Sequence, residues 1–328
     1  MTRLNAKEIW QMPKEKFVSL LENGAFSPET QTINFFAPSF VHYKNKFFCS
    51  SQNSFPSISV TGSSCALNCK HCNKKVLNTM TPVNSPKDLF DVCKKLKNDG
   101  TQGCLISGGC GLDGSVPLTN FIDAFKKIKT ELDLKLSVHT GLVDFITAEE
   151  LKKAGVDSVL IDVIGSDETI KEIYNLDVTV TVYEKSLKAL QDSEIPFIPH
   201  VLVGLHYGHL KGEFKALNLI AKYSPSAVII IAFIPIRGTP MENVEPPEPA
   251  DIIRTLVCAK LLMPTVPVVL GCMRPKGEHR KITDVFAVKA GVDAIAFPVE
   301  DAIQTAQSLN LEMLFSSVCC SQIYELNF

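Results

Sequence analysis

From Ser57 onward, eight short runs of apolar and β-branched residues recur along the chain, each followed by a stretch with helical periodicity. They are SISVTG from Ser57, GCLISGG from Gly103, LKLSVHTG from Leu134, SVLIDVIG from Ser158, FIPHVLVGL from Phe197, AVIIIAFIP from Ala227, VPVVLGC from Val266 and DAIAFP from Asp293. Near-continuous apolar runs alternating with amphipathic helices predict parallel strands joined by right-handed crossovers. Eight such units predict an α/β chain with a TIM-type (βα)8 barrel over 57–310, whose chemistry belongs at the C-terminal strand ends. The intervening helices carry matching punctuation. Ser85 before Pro86 predicts an N-cap with proline at the first helical position, and Leu89, Val92, Cys93 and Leu96 then share one face. Thr147 with Glu150 predicts a capping box, and Gly155 a helix end.

Before the barrel, residues 1–56 hold an amphipathic start, AKEIWQMPKEKFVSLLENG, and a Phe-rich extended stretch, expected to pack on the barrel and cover one end. Residues 311–328 form a cysteine-containing tail, expected over the barrel. With 328 residues, 45% of them hydrophobic, the chain can fill one large core. Lys and Arg number 33 against 35 Asp and Glu, which leaves no electrostatic footprint for nucleic acid or an anionic membrane surface. The longest apolar stretch, AVIIIAFIPI, is far short of a bilayer span, and MTRLNAKEIWQMPKEKF holds no signal-type apolar run. The expectation is a cytoplasmic protein.

Eleven cysteines stand out in a chain of this class. Cys93 and Cys258 fall on helix faces and Cys104 inside a strand, where a thiol packs as a small apolar group. The sequence TGSSCALNCKHC differs: it places Cys65, Cys69 and Cys72 in a C-x3-C-x2-C loop directly after the first barrel strand. Three thiolates so spaced can hold one [4Fe-4S] cluster and leave one iron without a protein ligand. A structural zinc site, by contrast, recruits a second pair of ligands from elsewhere.

The loop and its place resemble the radical S-adenosylmethionine (SAM) superfamily. The resemblance implies that Cys65, Cys69 and Cys72 hold a cluster whose open iron binds SAM, with His71 where the family has an aromatic residue. It also implies that Ser107, Gly108 and Gly109 form the turn that receives the methionine amino group. The segment from Ser158 onward resembles biotin synthase and its relatives. That resemblance gives Asp162 to the ribose, Gly204 in VLVGLHYG to the adenine side and Gly238 in IPIRGTPM to the strand-six turn. His139 and His200 face the same end, as contacts for SAM or the loop backbone. Biotin synthase takes cluster cysteines from strands three and five, where this chain has none.

Five more cysteines lie outside helix patterns: Cys49, Cys110, Cys272, Cys319 and Cys320. Adjacent cysteines in LEMLFSSVCCSQI cannot both face one core, so a second, auxiliary [4Fe-4S] cluster on Cys49, Cys272, Cys319 and Cys320 is expected, with Cys110 as the substitute ligand. With FFAPSF, SVHTGLVD, GCMRP and the terminal cysteine pair, the chain resembles one of the two radical SAM proteins of the archaeal two-component lipoyl synthase system. The resemblance implies sulfur insertion into a C–H bond of an octanoyl-lysine on a carrier protein, a sister radical SAM protein, and a one-electron reductant such as ferredoxin. The other readings are a biotin-synthase-like enzyme acting on a small substrate without a sulfur-donating cluster, and an iron-sulfur electron carrier. Arg237 and Arg274, at strand ends, could pair with the SAM carboxylate or lie at the surface; Glu300 and Asp301 open a helix.

Overall fold

The computed structural model describes residues 4–26, 31–39, 42–51 and 54–325; Phe40 of FFAPSF lies outside them. In chain order the elements are α1 (Ala6–Gln11), α2 (Lys14–Glu22), β1 (Thr32–Phe36), β2 (Ser57–Ser59), β3 (Thr81–Pro82), α3 (Pro86–Asn98), β4 (Gly103–Ser107) and α4 (Ile122–Leu132). There follow β5 (Lys135–His139), α5 (Phe145–Lys153), β6 (Ser158–Asp162), α6 (Asp167–Tyr174), α7 (Val180–Asp192), β7 (Phe197–Val203), α8 (Glu213–Ile220) and β8 (Val228–Ala232). The chain closes with α9 (Pro249–Leu262), β9 (Val268–Leu270), α10 (Glu278–Lys289), β10 (Ala294–Ala296), α11 (Glu300–Ser308), β11 (Glu312–Ser316) and a 3-10 turn at Cys320–Glu325.

All eight expected barrel strands are present, as β2 and β4 to β10, side by side and parallel. Two strands outside the eightfold pattern, β1 and β11, continue the sheet beyond β10, while β3 pairs with β2 at the other edge. Among the described residues no ladder joins β11 to β3, so the sheet is a curled half-barrel of 11 strands. Its faces alternate with the pleat. Ile106, Val159, Ile161, Val201, Ile230 and Ile295 meet the helices. Leu105, Leu160, Ile198, Ile229, Val269 and Ala294 line the concave side.

The tail reaches into the barrel. From β11 the chain turns at Ser317, whose carbonyl accepts a hydrogen bond from Ser54 Oγ at 2.6 Å. The 3-10 turn then descends through the lumen: Gln322 Nε2 donates to Ser137 Oγ at 2.7 Å, Tyr324 donates its hydroxyl to the Asp157 carbonyl at 3.0 Å, and Glu325 pairs with Lys135. Lys135 and Asp157 stand at the N-terminal ends of β5 and β6, so the tail fills the lower lumen and leaves the C-terminal end to the functional loops.

The N-terminal segment packs on the barrel, contributing β1 to the sheet. Its helices pack on α9 at the flank, where the buried Arg254 donates to the carbonyls of Ile9 at 2.5 Å and Met12 at 2.7 Å. The Ser85 cap forms as expected, accepting from Asp88 N. The cap of α5 is Asp144, which accepts from Thr147 N, rather than Thr147 itself. Either residue can cap, and the extra turn from Phe145 extends the helix by two residues ahead of Thr147. Cys93, Cys104 and Cys258 are core residues as expected, fully buried.

Candidate functional site

The loop after β2 is shaped by backbone that few side chains tolerate. Asn68, Asn73 and Lys74 all have positive φ, at 49°, 41° and 64°, a region in which asparagine is enriched. The turn they make folds Cys69 and Cys72 together. The end of α6 clamps it: Lys70 N donates to the Ile173 carbonyl at 2.8 Å, and Asn175 Nδ2 donates to the Leu67 and Asn68 carbonyls at 3.3 and 2.9 Å. On the other side, Gly109 N donates to Thr61 Oγ1 at 2.7 Å, and a Cβ at Gly109 would stand 1.9 Å from the Ser64 carbonyl oxygen. The glycine turn after β4 is therefore needed for close approach to the cysteine loop. Gly108 packs on Thr61, and Ser107 Oγ donates to the His139 carbonyl at 3.2 Å.

The cysteine thiols are already polarised. Cys69 donates its S–H to the Tyr174 carbonyl at 3.6 Å; the adjacent Cys72 thiol and burial push Cys69 up, while Cys69 and the His71 imidazole hold Cys72 down against burial. Cys65 stands close enough to raise Cys69 further. His71 lies against Tyr174, ring centres 5.2 Å apart, and its buried Nδ1 has no hydrogen-bond partner. Soft thiolate donors, three in number, fit a [4Fe-4S] cluster with one open iron better than a hard cation. A cavity of about 630 Å³ opens beside them, lined by Thr61, Ser64, Cys65, Lys74, Gly109 and Cys110.

Across the end of the lumen, Asp162 is ringed by imidazoles. His139 Nε2 lies 3.3 Å from its Oδ1, and the Tyr174 hydroxyl donates to Oδ2 at 3.5 Å. Burial pushes Asp162 up, but His139, His200 and His71 outweigh it and hold the carboxyl near 2. Burial drives His200 down to about 4. Gly204, with φ 72°, is fixed through its N–H to Glu213 Oε1 at 2.9 Å, and Gly238 through its N–H to Glu242 Oε2 at 2.6 Å with Lys75 beside it.

A second thiol group forms where β9 meets the tail. Cys272, Cys319 and Cys320 lie together against the lumen core, and contrary to the expectation that adjacent cysteines cannot both face one core, Cys319 and Cys320 are both buried there, where the chain enters the 3-10 turn. Cys320 donates its S–H to Cys319, holding Cys319 at about 7 against burial, and the nearby Cys319 adds to the burial that pushes Cys272 up to about 11. The two other expected ligands do not join them. Cys49 is exposed on a small hairpin, its thiol meeting only the Ser50 carbonyl at 3.8 Å among its described contacts. Cys110 stands beside Cys65 on the cavity wall, because its carbonyl accepts Ala66 N at 2.8 Å and ties it to the first loop.

Arg274 contacts no site for a ligand carboxylate. It is fully buried in a bidentate pair with Asp284, Nε to Oδ1 at 2.7 Å and Nη2 to Oδ2 at 2.8 Å, and its Nη1 donates to the Gly271 carbonyl at 2.6 Å, bracing the Cys272 turn. Arg237, in the loop after β8, is exposed. Glu300 and Asp301 open α11 as expected, Asp301 pairing with Lys281 at 2.9 Å. Sequence reasoning missed Tyr174, Asn175, Glu213 and Asp284. Asn175 alone carried a local signal, as an asparagine closing a helix in the left-handed region.

Comparisons agree with this geometry. The model of the Radical SAM superfamily matches residues 59–212. Biotin synthase of Clostridioides difficile (strain 630) is 25% identical over 210 residues, 62% of this chain and 63% of that protein, so the match spans less than two thirds of the relative. Biotin synthase of Prochlorococcus marinus is 24% identical over 250 residues, 73% of each chain. Among solved structures, methylornithine synthase (PylB) superposes with a TM-score of 0.62 at 13% identity, over 98% of this chain and 94% of that one. HydG, a maturase of the [FeFe]-hydrogenase, gives 0.66 at 14% identity, over 99% and 74%. At these identities the solved structures establish the shared fold.

Proposed function

Starting from a chain that contains a radical SAM superfamily domain with biotin-synthase-like relatives at about 25% identity, we propose a sulfur-inserting radical SAM enzyme of the lipoyl synthase type. The substrate is an octanoyl chain on a lysine of a carrier protein, and the sulfur comes from an auxiliary iron-sulfur cluster. A sister radical SAM protein performs the companion insertion, a one-electron reductant such as ferredoxin feeds the chain, and the setting is the reducing cytoplasm. One observation carries the reading: a second group of three thiols, Cys272, Cys319 and Cys320, packs on the concave-side cluster of the same sheet whose strand β2 leads into the Cys65, Cys69 and Cys72 loop.

When bound, the [4Fe-4S] cluster and SAM supply on one-electron reduction a primary alkyl radical able to take hydrogen from an unactivated C–H bond. The chain's own residues position and seclude. Cys65, Cys69 and Cys72 would hold the cluster. Ser107, Gly108 and Gly109 offer backbone at the SAM amino end, and Asp162, Gly204 and Gly238 frame the nucleoside side. Leu105, Leu160, Ile198 and Val269 give the lumen an apolar wall suited to an alkyl chain and hostile to water. Cys272, Cys319 and Cys320 hold the sulfur-donating cluster, and the fourth ligand lies outside this trio.

The test is turnover of an octanoyl-lysine peptide by the anaerobically reconstituted protein with SAM and a reductant. The expected product is the peptide carrying one added sulfur, with Cys319→Ala/Cys320→Ala still releasing 5′-deoxyadenosine but transferring no sulfur. Sulfur transfer that survives the double substitution contradicts the ligand assignment. Deoxyadenosine release by the unaltered protein without any sulfur-bearing product contradicts the reaction.

A further inference from the structure

His139 closes β5, Asp162 closes β6, and His200 stands in register with Asp162 on β7. All three project from the concave face at the functional end of the lumen. Their donor atoms, one from each side chain, lie within 4.8 Å of one another. The two imidazole rings are 5.8 Å apart and inclined by 34°. His200 is only 8% exposed, yet its Nδ1 has no hydrogen-bond partner. A buried imidazole nitrogen left unpaired is unfavourable, and a ligand held at this point of the lumen would satisfy it.

We infer that His139, Asp162 and His200 form a binding site for a divalent transition-metal ion, separate from both thiol groups. Two imidazoles and one carboxylate on one side of an ion are the donor set that suits borderline metals such as Fe2+ or Zn2+ and leaves positions open for an outside ligand. The surroundings are built as a second layer should be. Tyr174 donates its hydroxyl to Asp162 Oδ2, turning the carboxylate toward the imidazoles, and Ser107 Oγ holds the His139 backbone at its carbonyl. The open side faces the lumen, where an oxygen donor of a substrate or cofactor can complete the coordination sphere. The family resemblance gives Asp162 to the SAM ribose, which could approach from the open side; His139 and His200 together make this carboxylate part of a chelating set. The inference rests on this trio and not on the cysteine assignments.

The probe is cobalt(II), added to the full-length protein after anaerobic cluster reconstitution. Equilibrium dialysis with elemental analysis should find one cobalt per chain beyond the cluster iron. Proton NMR of the unaltered protein should show strongly shifted imidazole N–H resonances from two histidines, a readout that needs no variant. Asp162→Asn and His200→Gln should each weaken cobalt binding at least about tenfold without changing cluster iron. Absence of bound cobalt, or absence of the shifted imidazole resonances, overturns the inference. So does thiolate-to-cobalt charge-transfer absorption, which would place the ion on the cysteines.

Discussion

The two cysteine groups are built in opposite ways. Cys65, Cys69 and Cys72 come from eight consecutive residues whose turn is set by local backbone, with Asn68, Asn73 and Lys74 at positive φ. Cys272, Cys319 and Cys320 come from a strand end and a tail that is distant in sequence and meets it inside the lumen. A locally encoded site can be read from spacing, because neighbours in the chain are neighbours in space. An assembled site cannot, since it depends on where β11 docks and how the tail turns at Ser317. The same contrast appears in how each region is braced. Asn175 clamps the loop of the first group, and the Arg274–Asp284 pair holds the Cys272 turn of the second.

The contrast is most sharply drawn by Cys72→Ala. Reductive SAM cleavage, read as 5′-deoxyadenosine by chromatography, should fall to background while iron on the tail group persists. Next in size, Arg274→Met leaves Asp284 charged and buried without its partner. It should lower stability by about 3–5 kcal/mol in urea unfolding, and iron should be lost from the tail group in preference to the loop. An unchanged midpoint would mean that the assembled site does not depend on this brace.

Glu213, which fixes the Gly204 turn, carries a smaller, pH-dependent effect. Burial raises its carboxyl to about 7, above its ordinary 4.5, and its Oε2 has no partner. The folded protein therefore holds more protons than the unfolded chain between these values, so stability falls as pH rises from about 4.5 to 7 and is level above. Glu213→Gln removes that slope, with a gain on the order of 3 kcal/mol at pH 8 relative to pH 4. Parallel curves for the two proteins between pH 4 and pH 8 would contradict it. The smallest effect belongs to Cys49→Ser and Cys110→Ser, which should leave iron content unchanged. Iron loss in the first would return Cys49 to the ligand set.

Much of the barrel was legible for the same physical reason as the loop. Each strand such as SVLIDVIG is apolar on both faces because both faces are covered, and each helix carries caps such as Ser85. The additions at the sheet edge were not legible. β1 and β11 gain their pairing from neighbours distant in sequence, and a five-residue strand such as TINFF has no periodicity to separate it from an extended covering segment. At the site, Cys69, Cys72 and Asp162 stood where their strand ends and loop placed them. Arg274 was misread, because its partner Asp284 lies on the following helix and only folding reveals that the guanidinium faces inward.

The central claim is that two independent iron-sulfur sites share one lumen. It is tested most directly by iron and sulfide content of the anaerobically reconstituted variant lacking Cys65, Cys69 and Cys72. The account predicts retention of about four irons per chain, one [4Fe-4S] cluster's worth, on the group formed by Cys272, Cys319 and Cys320. Loss of essentially all iron would contradict it, leaving the Cys65, Cys69 and Cys72 loop as the single cluster site and no sulfur to donate.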